Sequence, residues 1–253
     1  MAGIKATLID HCGSDLSVVN AARVSFGKKS DWVCAGCGGT NWVADWDYDY
    51  KCGDCRLGDD LTLSEKDTKL IKYLAKHKHL SPFGHAFASF HVKAPIFVAR
   101  QLVKHKFLRW NEISRRYVDD EPEFYVPDVW RGRSEDKKQG SEGVTSTDAL
   151  LVKTGYNEWD GSRLHTPYNQ IALGVYNDML KDGVAPEQAR MVLPQSTMTE
   201  WYWSGSLDAF AAMCKLRCAP DTQYESRVVA DQISEVMSGL YPVSWVALME
   251  GSE

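Results

Sequence analysis

Four cysteines constrain this chain more than any other feature: Cys34, Cys37, Cys52 and Cys55 read C-x2-C-x14-C-x2-C. Two pairs with the same gap face one another when the connection between them folds back as a short hairpin. Four thiolates gathered this way suit a tetrahedral structural zinc, and a reducing compartment disfavours disulfides. Gly36, Gly38 and Gly53 permit the tight knuckle turns. The rival reading, cysteines that meet in a loop by coincidence, leaves the repeated gap unexplained. A closed four-thiolate site holds structure and offers no open position for catalysis. The intervening WVADWDYDY is acidic and aromatic, unlike a nucleic-acid-binding finger. Residues 31–60 are therefore expected as a zinc-ribbon-like insertion within a single domain spanning residues 1–253.

A second feature points to a ligand. Between positions 100 and 117 stand Arg100, Lys104, Lys106, Arg109, Arg115 and Arg116 against one acid, Glu112, in a chain whose formal net charge is -5. A run of charge is often only a solvated helix face. Here Gln101, His105, Asn111, Glu112, Ser114 and Tyr117 lie between the cations and can make directional hydrogen bonds. The combination reads as a site for a phosphorylated small molecule. The acidic total excludes broad binding along a nucleic-acid backbone. No apolar run approaches the roughly 20 residues that span a bilayer, and the start of the chain lacks the order of a secretory signal. A cytoplasmic protein is expected.

The rest of the chain reads as α+β. A strand is expected at Ala6–Ile9, a small helix ending in AARVSFGKK, and a helix from the cap-like Ser64 through Leu74. Alternation from Phe87 to Val92 predicts a strand, and Pro95 opens a predicted helix running to about Leu108. Residues 131–148 are polar and rich in Gly and Ser, which predicts a mobile loop. A helix is expected over Asn169–Leu180, a short one near Pro186, and a strand at MTEWYWSGS. Leu207, Phe210 and Cys214 then form one buried stripe. A last helix is expected to bury Tyr224, Val228, Ile233, Val236, Met237 and Leu240.

Taken together, HVKAPIFVARQ, NEISRRY and EQARMVLP resemble the flavin-dependent thymidylate synthases. The resemblance extends to ARVSFG, HLSPFGH, EFYVPDVWR with KKQGS, and KLR followed by TQYE, so it covers nearly all of the chain outside residues 31–60. It implies that family's own fold, a mixed sheet with a helical half, in a homotetramer with active sites between subunits. The implied reaction makes dTMP from dUMP, with methylenetetrahydrofolate as carbon donor and NADPH as reductant through FAD. It implies dUMP contacts at Gln101, Glu112, Ser114, Arg115, Arg116, Arg190 and Arg217. Those residue types fit, because a phosphate monoester favours guanidinium forks and hydroxyl donors. It further implies cofactor contacts at Ser25, His79, Ser81, Lys104, His105, Lys106 and Glu112. Arg217, Ser114 and His79 are expected at the reacting groups. Arg217 would stabilise charge on the uracil ring, and Ser114 is a phosphate or uracil ligand more readily than a nucleophile. For His79, a surface histidine in a KHKH run is the alternative.

Departures from the family pattern gather on the flavin side. The usual Arg-His-Arg is Lys104-His105-Lys106, and Arg109 stands at a usual serine. Ser206, Asp208 and Ala212 replace an asparagine, an arginine and a second asparagine, while Asp221 and Gly84 also depart. Divergence with compensation is one explanation. The other is a dUMP or dCMP hydroxymethylase of the same fold, since a hydroxymethyl group needs water and no net reduction. A homologue without activity that only binds dUMP, or a zinc-ribbon scaffold, is a third reading. The insertion is compatible with a viral origin, which would place the protein in a host cytoplasm.

Overall fold

A computed structural model describes residues 3–44, 50–55, 60–118, 120–135, 140–147, 149–158 and 163–250. In chain order, β1 (Lys5–Cys12) and α1 (Asp15–Arg23) precede the cysteine segment, which holds β2 (Val33–Cys34), β3 (Trp42–Ala44), β4 (Tyr50–Cys52) and β5 (Leu61–Thr62). Next come α2 (Glu65–Lys76), β6 (Phe87–Pro95), α3 (Ile96–Leu102) and β7 (Arg109–Glu112). Two hairpins follow, β8 (Trp130–Gly132) with β9 (Glu142–Thr145), and β10 (Leu151–Tyr156) with β11 (Arg163–Pro167). The remaining elements are α4 (Tyr168–Lys181), α5 (Pro186–Ala189), β12 (Met198–Ser206), α6 (Leu207–Arg217), α7 (Tyr224–Leu240) and α8 (Pro242–Glu250). The fold is α+β, with a four-stranded sheet ordered β1-β6-β12-β7. No described helix is long and apolar enough to cross a membrane.

The chain divides into two compact units, one of residues 1–7, 91–203 and 217–230, the other of residues 8–90, 204–216 and 231–253. In the first unit, period-two alternation puts Val92 and Ala94 of β6 and Trp201 and Trp203 of β12 into the interior. Trp110 of β7 stacks on Trp201 at 4.3 Å between centroids. In the second unit Val18 and Val19 of α1, Ile71 of α2, Phe90 and Phe210 are fully buried, the last two edge-on at 5.3 Å. Asp15, itself buried, caps a helix distant in sequence: its carboxylate accepts from the N–H groups of Val243 at 2.9 Å and Ser244 at 2.8 Å, at the start of α8. Tyr241 donates its hydroxyl to the carbonyls of Cys12 and Phe87, at 3.0 and 2.9 Å.

Three expectations are corrected. The helix after Pro95 ends at Leu102, because successive turns through His105 and Leu108 lead the chain into β7. Residues 131–148 hold most of a paired hairpin, with Arg131 opposite Val144; 136–139 and 148 lie outside the described residues. The last long helix buries Val229, Ala230, Ile233 and Met237, while Tyr224 is exposed and Val228, Val236 and Leu240 are only half-buried. Arg131 stacks over the Tyr224 ring instead, 4.6 Å from its centroid.

Candidate active site and four-thiolate centre

All the residues expected to meet dUMP fall in the first unit. Gln101, half-buried on α3, accepts a short hydrogen bond from the hydroxyl of Ser226, which is itself buried. That contact engages the amide oxygen and leaves the amide nitrogen as the group's donor. Glu112 closes β7 with both carboxylate oxygens engaged: Thr199 donates to one at 2.7 Å and the Trp110 indole to the other at 3.2 Å. Ser114 accepts from Arg116 Nε at 3.2 Å. Its described contacts include no histidine or carboxylate that could serve as a base, which favours a ligand over a nucleophile.

Arg217 ends α6 and donates from Nε to His105 Nε2 at 3.2 Å. A histidine that accepts from a guanidinium must carry its proton on the other ring nitrogen. Burial first, and the Arg217 charge second, pull His105 down to about 4, so the ring is neutral near pH 7. Burial also lowers Arg217 from its usual value, but a guanidinium stays cationic. With Nε committed to His105, the fork presents its two Nη groups to an anion or a carbonyl edge.

Among the described residues, Ser114 with Arg116 and His105 with Arg217 are the hydrogen-bonded pairs within the expected set. Arg115 turns to the carbonyl of Asp120. Arg190, exposed, donates to the carbonyl of Glu187 at 3.3 Å and meets no other member. Lys104 and Lys106 are exposed on the turn after α3. Sequence reasoning missed Thr199, Trp110 and Ser226, which position Glu112 and Gln101. Thr199 stands in a strand that also carries Glu200 and Ser204, so nothing in the sequence singled it out. A further cavity of about 490 Å3 in this unit is walled by Phe97, Tyr125, Trp130 and Tyr168, with the Arg131–Glu225 ion pair at 2.5 Å.

The second unit gathers Ser25, His79 and Ser81 around a cavity of about 580 Å3, together with Arg23, Lys28 and Tyr73. His79 is exposed, its ring 6.2 Å from that of Tyr73. Lys28, the Ser25 and Ser81 hydroxyls and the His79 and Tyr73 rings fit a flavin nucleotide, whose diphosphate takes charged and hydroxyl donors and whose rings stack, with Arg23 beside them already paired to Asp67. Elsewhere in this unit, Asp208 at the departed position carries a buried Oδ1 without a hydrogen-bond partner.

The four cysteines converge, their sulfurs all within 4.8 Å of one another. Cys34 and Cys55 sulfurs are 3.7 Å apart and those of Cys37 and Cys52 3.6 Å. A disulfide needs about 2.05 Å, whereas a tetrahedron with Zn–S near 2.3 Å has edges of about 3.8 Å. The Gly39 N–H donates to Cys37 Sγ at 3.4 Å, a hydrogen bond that favours thiolate. The donor set and spacing fit zinc. Residues 45–49 of the acidic connection lie outside the described residues.

The family model Thy1, thymidylate synthase complementing protein, matches residues 7–243. A flavin-dependent thymidylate synthase of Thermus thermophilus is 37% identical over 243 residues, 96% of this chain and 74% of that protein. One from Kosmotoga olearia is 34% identical, over 96% of this chain and 88% of its own length. Among solved structures, a UMP/dUMP methylase, PolB, of Streptomyces cacaoi bound with 5-Br dUMP superposes with a TM-score of 0.66 at 28% identity, over 97% of this chain and 94% of that one.

Proposed function

This chain belongs to the flavin-dependent thymidylate synthase family, and on that premise we propose that it converts dUMP to dTMP. The carbon comes from methylenetetrahydrofolate and the reducing equivalents from NAD(P)H through FAD. The observation that carries the reading is Arg217 donating from Nε to a neutral His105, a contact that would leave both Nη groups for the uracil.

Arg116, Arg190 and Ser114 supply fork and hydroxyl donors for the nucleotide phosphate, with Arg115 beside them. Gln101, its oxygen tied to Ser226, offers its amide N–H to a uracil carbonyl. Arg217 faces the carbonyl edge and stabilises negative charge as the ring attacks the one-carbon donor. Five of the seven cysteines are unsuited to act as nucleophile, four because they are committed to metal and Cys214 because it is buried in the core. The residues that would hold FAD are Arg23, Ser25, Lys28, His79 and Ser81, with Lys104, His105, Lys106 and Glu112 assigned by resemblance. When bound, FAD supplies the two-electron chemistry that separates a methyl from a hydroxymethyl product. Zinc on Cys34, Cys37, Cys52 and Cys55 is structural. The protein works as a homotetramer in the cytoplasm, one thymidylate synthase-like domain with residues 31–60 inserted. The relatives' names favour the methyl product over the hydroxymethyl alternative. Incubation with dUMP, FAD, NADPH and methylenetetrahydrofolate should yield dTMP; binding of dUMP with no turnover would leave only a nucleotide-binding homologue.

A further inference from the structure

The cysteine insertion is tied at both ends to one carboxylate, and that carboxylate holds a wall of the 580 Å3 cavity. Within 31–60, the buried side chains among the described residues are Cys34 and Cys52 themselves. Pairings as short as Val33–Cys34 with Leu61–Thr62 do not stand alone. With no other side chain buried among its described residues, the segment folds on its metal.

At the entry, Ser30 is bracketed by Asn20, whose side chain accepts from its N–H at 2.7 Å and donates to its carbonyl at 3.0 Å. The Ser30 hydroxyl donates to Asp67 Oδ1 at 3.0 Å. At the exit, Ser64 caps α2 and donates to Asp67 Oδ2 at 2.7 Å. Asp67 is 2% exposed and accepts from Arg23 Nε at 2.9 Å on the same Oδ1 as Ser30. Burial pushes its carboxyl upward, but Ser64, Arg23 and Ser30 together hold it below the ordinary value. Arg23 lines the cavity, followed by Ser25 and Lys28 on the next turn of chain. An ionised, almost fully buried aspartate with all its donors in place leaves Arg23 one position.

We propose that metal occupancy of the four thiolates gates flavin loading: the folded ribbon seats Ser30 and Ser64 on Asp67, which fixes Arg23 and the Ser25–Lys28 wall. Without metal the ribbon loses its core, its two ends loosen, and the wall is no longer held for a diphosphate. The proposal rests on the reading that this cavity takes FAD. It assigns the insertion a role in the enzyme's cofactor binding, distinct from the nucleotide side in the first unit.

The test uses the full-length protein under reducing conditions, loaded with zinc, stripped with a chelator, and reloaded. FAD binding is followed by equilibrium dialysis and dUMP binding by calorimetry, with zinc-loaded Arg23→Ala as a second variant. Stripping should weaken FAD roughly tenfold, the effect of losing about one charge-assisted hydrogen bond. Zinc should restore it, dUMP affinity should stay within about twofold, and Arg23→Ala should weaken FAD alike. If Arg23→Ala weakens FAD while stripping does not, the cavity reading stands and the gating is overturned. If neither changes FAD binding, FAD lies elsewhere and both fall. Loss of dUMP and FAD affinity together would show metal supporting the whole fold, which also overturns a local gate.

Discussion

His105 accepts a hydrogen bond from a guanidinium that it would repel if protonated, so the pair works only while the imidazole is neutral. With the folded value near 4 and the ordinary value at 6.5, the unfolded chain takes the proton first as pH falls. The contribution of this group to stability is therefore complete above about 6.5 and is lost as pH drops toward 4. A histidine-detected NMR titration should show one imidazole with its midpoint near 4; a midpoint at the ordinary value would separate it from Arg217. On the proposed role of Arg217 at the uracil edge, Arg217→Ala should lower kcat by about 10²–10³-fold, as loss of a charge-stabilising donor does. An active variant would mean the uracil lies elsewhere. Ser226→Ala leaves the Gln101 oxygen unpaired, and KM for dUMP should rise about fivefold for roughly 1 kcal/mol. An unchanged KM would show that Gln101 does not touch the nucleotide.

At the level of elements, Asp15→Ala should expose two N–H groups at the start of α8 and destabilise the protein by about 2 kcal/mol in urea unfolding. Asp15→Asn, which keeps one acceptor, should lose less; equal loss would show that the cap is not the cause. Much of this scale was legible in the sequence. The alternation in MTEWYWSGS marks β12, the Ser64–Asp67 spacing marks the start of α2, and Leu207, Phe210 and Cys214 are buried as their spacing requires. What failed depends on partners far along the chain. No local apolar pattern announces the turns that end α3 at Leu102; β7 forms beyond them because Trp110 finds Trp201, far along the chain. Tyr224 looked apolar enough for the interior, yet its ring faces the guanidiniums of Arg131 and Arg227. The Ser- and Gly-rich run read as a loop pairs as β8 with β9, because strand pairing does not require apolar side chains.

For the whole molecule, the motifs that carry the family are scattered, and folding collects the nucleotide-side ones in one unit and Ser25, His79 and Ser81 in the other. The positioning residues Thr199 and Ser226 were hidden because a serine or threonine declares no partner in sequence. The departures at Ser206, Asp208 and Ala212 make the fate of the transferred carbon the central question. The cavity that holds Arg23, Lys28 and His79 supports retained flavin chemistry. Mass spectrometry of the nucleotide formed from dUMP, FAD and methylenetetrahydrofolate, with and without NADPH, addresses that question most directly. A methyl product that forms only with NADPH is the predicted result. A hydroxymethyl product, indifferent to NADPH, would contradict it.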